Sequence, residues 1–333
     1  MSGMKASTIK TVLRNRIDDW LKTITDETLV ADIKKDAIVS GGAIASMLLG
    51  ETINDYDIYF RTLSTTKAVA EYYVSVFNTL NKDKKITMNG SLPTVMEEDI
   101  QNIKGETERR VVIRIKSAGV ASETQGEYKY FEGHPEQDTE DFFDSLSNTE
   151  LISSVEIPDN DPIGTVEVLV TDLKDKTKPK YRPVFLSDNA ITMSDKIQLI
   201  IRFYGEPDKI LNNYDFAHTM NYYDYAKNEL HLEPVALESL LSKALVYKGS
   251  LYPIASIFRI RKFIERGWRI TAGQLLKIIW QITEIDFNKP GVLREQLIGV
   301  DQAYMYQLLE ALKSKDGKID SAYIAKLVDE IFE

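Results

Sequence analysis

The chain has 333 residues, 43% of them hydrophobic and 28% charged, a globular composition with room for one large domain or two ordinary ones. A net charge of -10 and a pI of about 5.1 exclude a global basic field, so attraction to nucleic acid or an anionic membrane has to be local. Cysteine is absent, which excludes disulfides, thiolate metal sites and cysteine nucleophiles, and three scattered histidines (His134, His218, His231) do not make a zinc site.

The first twenty residues lack the continuous apolar run of a secretory leader, and the longest apolar runs, such as 275–280, are too short to span a bilayer. A soluble, cytoplasmic protein without membrane contact is expected. Apolar positions at Ile9, Val12, Leu13, Ile17, Trp20, Leu21 and Ile24 predict an amphipathic helix over 6–24, capped by Ser7 or Thr8. A second short helix is expected from Asp26-Glu27-Thr28 to Lys34-Lys35, where positive charge suits a helix C-terminus.

The most informative stretch follows, AIVSGGAIASMLLGETINDYDIYF over 37–60. Ala37, Ile38 and Val39 read as a buried strand that ends in Ser40-Gly41-Gly42, and Ala43 to Leu49 read as a short helix. Asp55 to Phe60 then read as a second strand. Side chains of a strand alternate faces, so Asp55 and Asp57 point one way and Tyr56, Ile58 and Phe60 the other, into a core. Two adjacent carboxylates with no basic residue between Asp55 and Phe60 repel each other, and a pair of divalent cations would relieve them, hard oxygen ligands suiting Mg²⁺. Glycines without Cβ let backbone N–H groups approach a phosphate. The bland alternative is a hairpin-rich domain with an incidental acidic strand.

Strand, Gly-Gly, short helix and Asp-x-Asp on the next strand, with the glycine pair and the acids thirteen residues apart, resemble the DNA polymerase β-like nucleotidyltransferase superfamily. The likeness to its poly(A)-polymerase and tRNA CCA-adding branch is nearest around Gly41-Gly42 and Leu48-Leu49-Gly50. It departs at Ala45-Ser46, where that branch carries Arg-Asp. The resemblance implies that the glycine loop holds a nucleoside triphosphate. It also implies that Asp55 and Asp57, with a third carboxylate from a later strand, bind two Mg²⁺ or Mn²⁺ ions. Transfer of a nucleoside monophosphate to a hydroxyl and release of pyrophosphate would follow. Ser40, Gly41 and Gly42 are then nucleotide-binding, with Ser40 adding a hydroxyl.

Residues 65–82 predict another helix, with Val69, Tyr73, Val76, Phe77 and Leu80 on its apolar side. Strands are expected at 110–115, 165–170 and 184–186, and the acidic stretch 127–147, part of a variable insertion over about 120–160, reads as an exposed surface segment. Ile197 to Phe203 predict a strand, Glu206-Pro207 open a helical turn through Leu211, and 215–220 read as a returning strand. By analogy with the superfamily, Asp215 on that strand is the candidate third metal ligand, with Glu167 and Asp172 in reserve; the alternative is a turn cap. His218, on the other face of that strand, is expected to be a packed core histidine.

From Pro234 the pattern turns helical: 234–246, 250–267 ending at Gly267, 271–282, 302–312 and 319–332. The helix over 271–282 is apolar almost all round and is expected in the core of this half. Lys243, Arg259, Lys262 and Arg266 are the candidate phosphate cations; Arg259, Lys262 and Arg266 fall on one helix face. The alternative is a solvated face pairing with Glu238 and Glu265. The segment 243–282 is similar to a helical region of nucleotidyltransferases encoded by tailed bacteriophages, which implies action in a host cytoplasm. The expected architecture is an α+β nucleotidyltransferase-type domain, a mixed or antiparallel sheet flanked by helices, over 1–233, with an all-helical domain over 234–333. The expected function is nucleotidyl transfer from an NTP to an RNA 3′ end or a protein hydroxyl. The runner-up is a non-catalytic binding or virion-associated protein on the same fold.

Overall fold

In a computed structural model the described residues are 3–80, 92–101, 107–114, 180–187 and 189–285, with Gln296 and Lys326 as isolated helical positions. Helix α1 (Ala6–Leu21) buries Ile9, Leu13, Ile17 and Trp20, the stripe legible in the sequence. It starts at Ala6 with no side-chain cap, one residue before the expected Ser7. Helix α2 (Glu27–Asp36) is capped by Asp26, whose carboxylate accepts from the N–H groups of Thr28 and Leu29. Strand β1 (Ala37–Ser40), helix α3 (Gly42–Leu49) and strand β2 (Tyr56–Phe60) follow, then helix α4 (Leu63–Leu80).

Strands β3 (Thr94–Gln101) and β4 (Thr107–Arg114) form a separate antiparallel pair. Cross-strand charges tie it together: Arg110 and Arg114 both donate to Glu98, and Arg109 to Glu97. The main sheet has seven strands in the order β5-β6-β7-β2-β1-β8-β9. Here β5 is Pro183–Leu186, β6 Ala190–Met193, β7 Ile197–Tyr204, β8 Tyr222–Asp224 and β9 Glu229–His231. Only β2 and β7 run parallel; the other neighbours are antiparallel, which makes the sheet mixed.

Alternation gives the sheet two different faces. Ala37, Val39, Tyr56, Ile58 and Phe60 enter the main core with Trp20, Val69, Tyr73 and Phe77. Inside it the Trp20 indole N–H donates to the Tyr73 hydroxyl at 2.6 Å, so both polar ends are satisfied. The other face carries Ile38 and Tyr59, which pack under Ile210 of the short helix α5 (Pro207–Leu211). The segment 215–220 is not the expected strand. A 3₁₀ turn occupies Ala217–Thr219, and the strand that pairs with β1 is β8, five residues later.

Beyond β9 lie helices α6 (Pro234–Ser242), α7 (Pro253–Glu265) and α8 (Ala272–Thr283), with a two-stranded parallel pair, β10 (Ala244–Leu245) and β11 (Arg269–Ile270). Gly267, at φ 78°, ends α7 as read from the sequence. Phe216, Leu240, Leu245, Tyr247, Ile260, Trp268 and Ile278 form a second core that also takes in Ala45 of α3. Helix α8 is not the core element its composition suggested. Ile278 is its one buried residue, while Leu276 is 60% and Trp280 69% exposed. Periodicity sets which residues share a face, not which faces find a neighbour. The helices expected at 302–312 and 319–332, the strand at 165–170 and the acidic stretch 127–147 lie outside the described residues.

Candidate functional site

Strand β1 delivers the chain to Gly41, and the helix beginning at Gly42 turns away from it. Gly41 holds φ 90° and ψ -151°, a region that L side chains rarely adopt. A Cβ there would stand 2.6 Å from Oδ2 of Asp57 and 3.4 Å from the hydroxyl of Tyr214. Glycine is therefore needed twice over, for the turn and for the approach of the carboxylate. At Gly42 a Cβ would meet nothing within 4 Å, so the space over the start of α3 is open. The Gly41 N–H already donates to the Thr219 carbonyl at 3.3 Å, leaving Gly42 and the first turn of α3 as the donors for an anion.

Asp55 lies just before β2 and Asp57 on it, opposite Ser40 in the register with β1. Both carboxylates are half-buried. Burial pushes the carboxyl of Asp55 above the usual carboxylate range, while its own backbone N–H and the charge of Lys262 pull it back. Burial lifts Asp57 well above that range, and the charge of Asp55 lifts it further. Two such groups prefer to share a proton or a cation. Hard carboxylate oxygens beside an open helix N-terminus are a donor set that a divalent ion would fit. Among the described residues no group of three acidic, histidine or cysteine side chains stands close enough to hold a metal.

Asp215 does not join the pair. Its Oδ2 accepts from Nη1 of Arg259 at 2.6 Å, and its backbone carbonyl accepts from the Lys248 N–H. The strand beside β2 on the other side offers Gln198 opposite Asp57, not a carboxylate. The reserve candidates Glu167 and Asp172 lie outside the described residues. Arg259, expected on a phosphate, is thus committed to Asp215. Lys262, one turn further along α7, is the cation whose charge reaches Asp55.

Two further expectations change. The Ser40 hydroxyl is buried and donates to the Asn221 carbonyl at 2.9 Å, so it ties β1 to the segment before β8. Lys243 stands at the other end of α3, about 12 Å of helix from the glycine turn. Its ammonium pairs with Glu51 at 3.1 Å beside a cleft of about 450 Å³ lined by Leu49, Gly50, Glu51 and Thr52.

Sequence reasoning missed Tyr59 and Tyr214. The Tyr214 hydroxyl donates to that of Tyr59 at 2.9 Å, and burial raises both phenols, with Asp57 adding to the rise. Tyr59 was findable: it has the same parity on β2 as Asp55 and Asp57. Tyr214 reaches the site through the turn after α5, which no local pattern announces. His218 is the packed core histidine expected. Its ring lies 4.4 Å from Trp268 and 4.5 Å from Phe263, neither ring nitrogen has a hydrogen-bond partner among the described residues, and burial lowers it to about 4.

The fold and site together define a mixed α+β protein with a glycine turn set beside an acidic pair. The family model described as Gad2, Gabija anti-defense 2 family protein, matches residues 11–243, and the chain belongs to that family. The Gabija anti-defense 2 protein of Bacillus phage SPbetaL7 is 22% identical over 140 residues. That match takes in 41% of this chain and spans 35% of the relative's length. Among solved structures, the Thermotoga maritima CCA-adding enzyme complexed with tRNA-CCA is similar over 84% of this chain and 46% of its own. That similarity has 12% identity and a TM-score of 0.33. Among the described residues no helix is long and apolar enough to cross a membrane.

Proposed function

We propose that this chain acts against the Gabija defence inside the infected host cell through a cation-dependent nucleotide site at its glycine turn. The reaction is transfer of a nucleoside monophosphate from an NTP to a hydroxyl acceptor, an RNA 3′ end or a protein side chain, with release of pyrophosphate. One observation carries the reading: two half-buried, mutually repelling carboxylates, Asp55 and Asp57, lie against a glycine turn that opens a helix over free space.

Asp55 and Asp57 would hold Mg²⁺ or Mn²⁺, which when bound neutralises polyphosphate charge and acidifies a coordinated hydroxyl. Gly42 and the first turn of α3 donate backbone N–H groups to the phosphates. Gly41 admits Asp57 close beneath that turn, and Lys262 adds positive charge on the Asp55 side. Tyr59 and Tyr214, buried and hydrogen-bonded to each other, stand beside Asp57. Catalysis of this kind is positioning plus charge neutralisation, with no covalent intermediate required.

A second reading, nucleotide binding without transfer, is favoured by the pairing of Asp215 with Arg259 and by Gln198 opposite Asp57, which leave no third acid among the described residues. Incubation with each α-labelled NTP, total RNA, host protein and Mg²⁺ or Mn²⁺ separates the two. Label on an acceptor with stoichiometric pyrophosphate, lost in Asp57→Asn, supports transfer. Cation-dependent binding without pyrophosphate supports the second reading, and activity untouched by Asp57→Asn refutes both.

A further inference from the structure

Helices α7 and α8 pack on each other, and the sides they turn outward are apolar where a solvated helix would be polar. On α8, Leu276, Ile279 and Trp280 are 60%, 55% and 69% exposed; on α7, Ile257 and Ile264 are 47% and 52% exposed. Exposed apolar rows of this kind mark contact surfaces.

The charge around them is as uneven. Residues 253–283 carry six basic residues against the single acid Glu265, a net charge of +5 in a chain of -10. Arg259 and Lys262 are turned toward Asp215 and Asp55, but Arg261, Arg266, Arg269 and Lys277 are exposed. Aliphatic side chains ringed by cations match a protein surface with an apolar centre and a carboxylate rim. A nucleic acid would be met by stacking aromatics between basic residues, and Trp280 is the one aromatic exposed along these rows.

We propose that the outward rows of α7 and α8 are the docking surface for an acidic, apolar-centred patch on a protein of the Gabija defence. The partner's identity rests on the family, and the surface is independent of the nucleotide site. Trp280 supplies the anchor, as large aromatics do at the centre of interfaces, and Lys277 sets the partner's charge, Arg261 being paired with Glu265 at 3.2 Å.

Trp280 also supplies the readout. Trp20 and Trp268 are 0% and 6% exposed, so iodide quenching of tryptophan emission reports Trp280. The full chain is titrated with purified Gabija proteins while iodide quenching and binding by interferometry are followed. The surface predicts that quenching falls on complex formation and that affinity drops as salt rises. Ile279→Asp and the charge reversal Lys277→Glu should each weaken binding roughly tenfold or more without altering the thermal transition. Asp57→Asn should bind as the wild type does, which separates failure of the nucleotide site from failure of this surface. Unchanged affinity in both surface variants would overturn the proposal. So would Trp280 already shielded in the free chain, self-association that buries it, or duplex DNA or RNA protecting it in place of the Gabija proteins.

Discussion

Oδ2 of Asp57 lies 2.6 Å from where a Cβ on Gly41 would stand, so the acid and the turn are shaped to each other. Gly41→Ala therefore meets both a strained backbone and a carboxylate. We expect a loss of about 1–3 kcal/mol from the backbone conformation alone, with displacement of Asp57 and loss of nucleotide binding. Gly42→Ala, which meets nothing within 4 Å, should leave the thermal transition nearly unchanged. Parallel thermal melts and NTP titrations of the two variants check the contrast; equal behaviour would show that Gly41 is not the constrained position.

Arg259 and Asp215 clasp α7 to the turn before β8 through a 2.6 Å ion pair, with Asp215 8% and Arg259 31% exposed. Removing the arginine strands a buried carboxylate, so Arg259→Ala should cost about 2–4 kcal/mol in urea unfolding, less than for a fully buried pair because the guanidinium reaches solvent. The double variant with Asp215→Asn should recover part of that loss. A double-mutant cycle with no coupling would show that the pair is incidental.

His218 predicts a pH dependence of stability. Burial lowers its folded-state value to about 4, below the ordinary 6.5, so the unfolded chain binds the extra proton first. Stability from the neutral ring is fully present above pH 6.5 and is lost as pH falls from there toward about 4, on the order of 3 kcal/mol in total. His218→Phe keeps the ring packing against Phe263 and Trp268 and removes two nitrogens that have no hydrogen-bond partner among the described residues. It should flatten that part of the profile without loss at pH 7, as read by urea unfolding at several pH values.

The acid pair predicts opposite effects on the free and the cation-bound protein. Asp57→Asn ends the repulsion with Asp55, so the free chain should melt at the same temperature or higher. Mg²⁺ should raise the melting temperature of the wild type and leave the variant unmoved, because binding to the folded state alone stabilises it.

The glycine turn and Asp-x-Asp were legible because each is local: a strand's parity and a missing Cβ are written in consecutive residues. The third acid was not, because it depends on which distant strand lies beside β2. That neighbour is β7, with Gln198 in register, while Asp215 sits in a turn whose partner is 44 residues away on α7. Lys243 failed for the same kind of reason. Its helix could be read, but which end of α3 it would meet could not. In α8 the apolar composition identified a helix and overstated its burial, and the surplus on its outward side became the docking surface. Strand β3 escaped notice because Glu97, Glu98 and Asp99 look like a solvated run until Arg110 and Arg109 stand opposite Glu98 and Asp99.

Calorimetric titration of NTP into the full chain, with and without Mg²⁺, tests the central claim most directly. The acid pair beneath the glycine turn predicts binding that needs the cation and disappears in Asp57→Asn. Equal affinity without the cation, or in the variant, would contradict it.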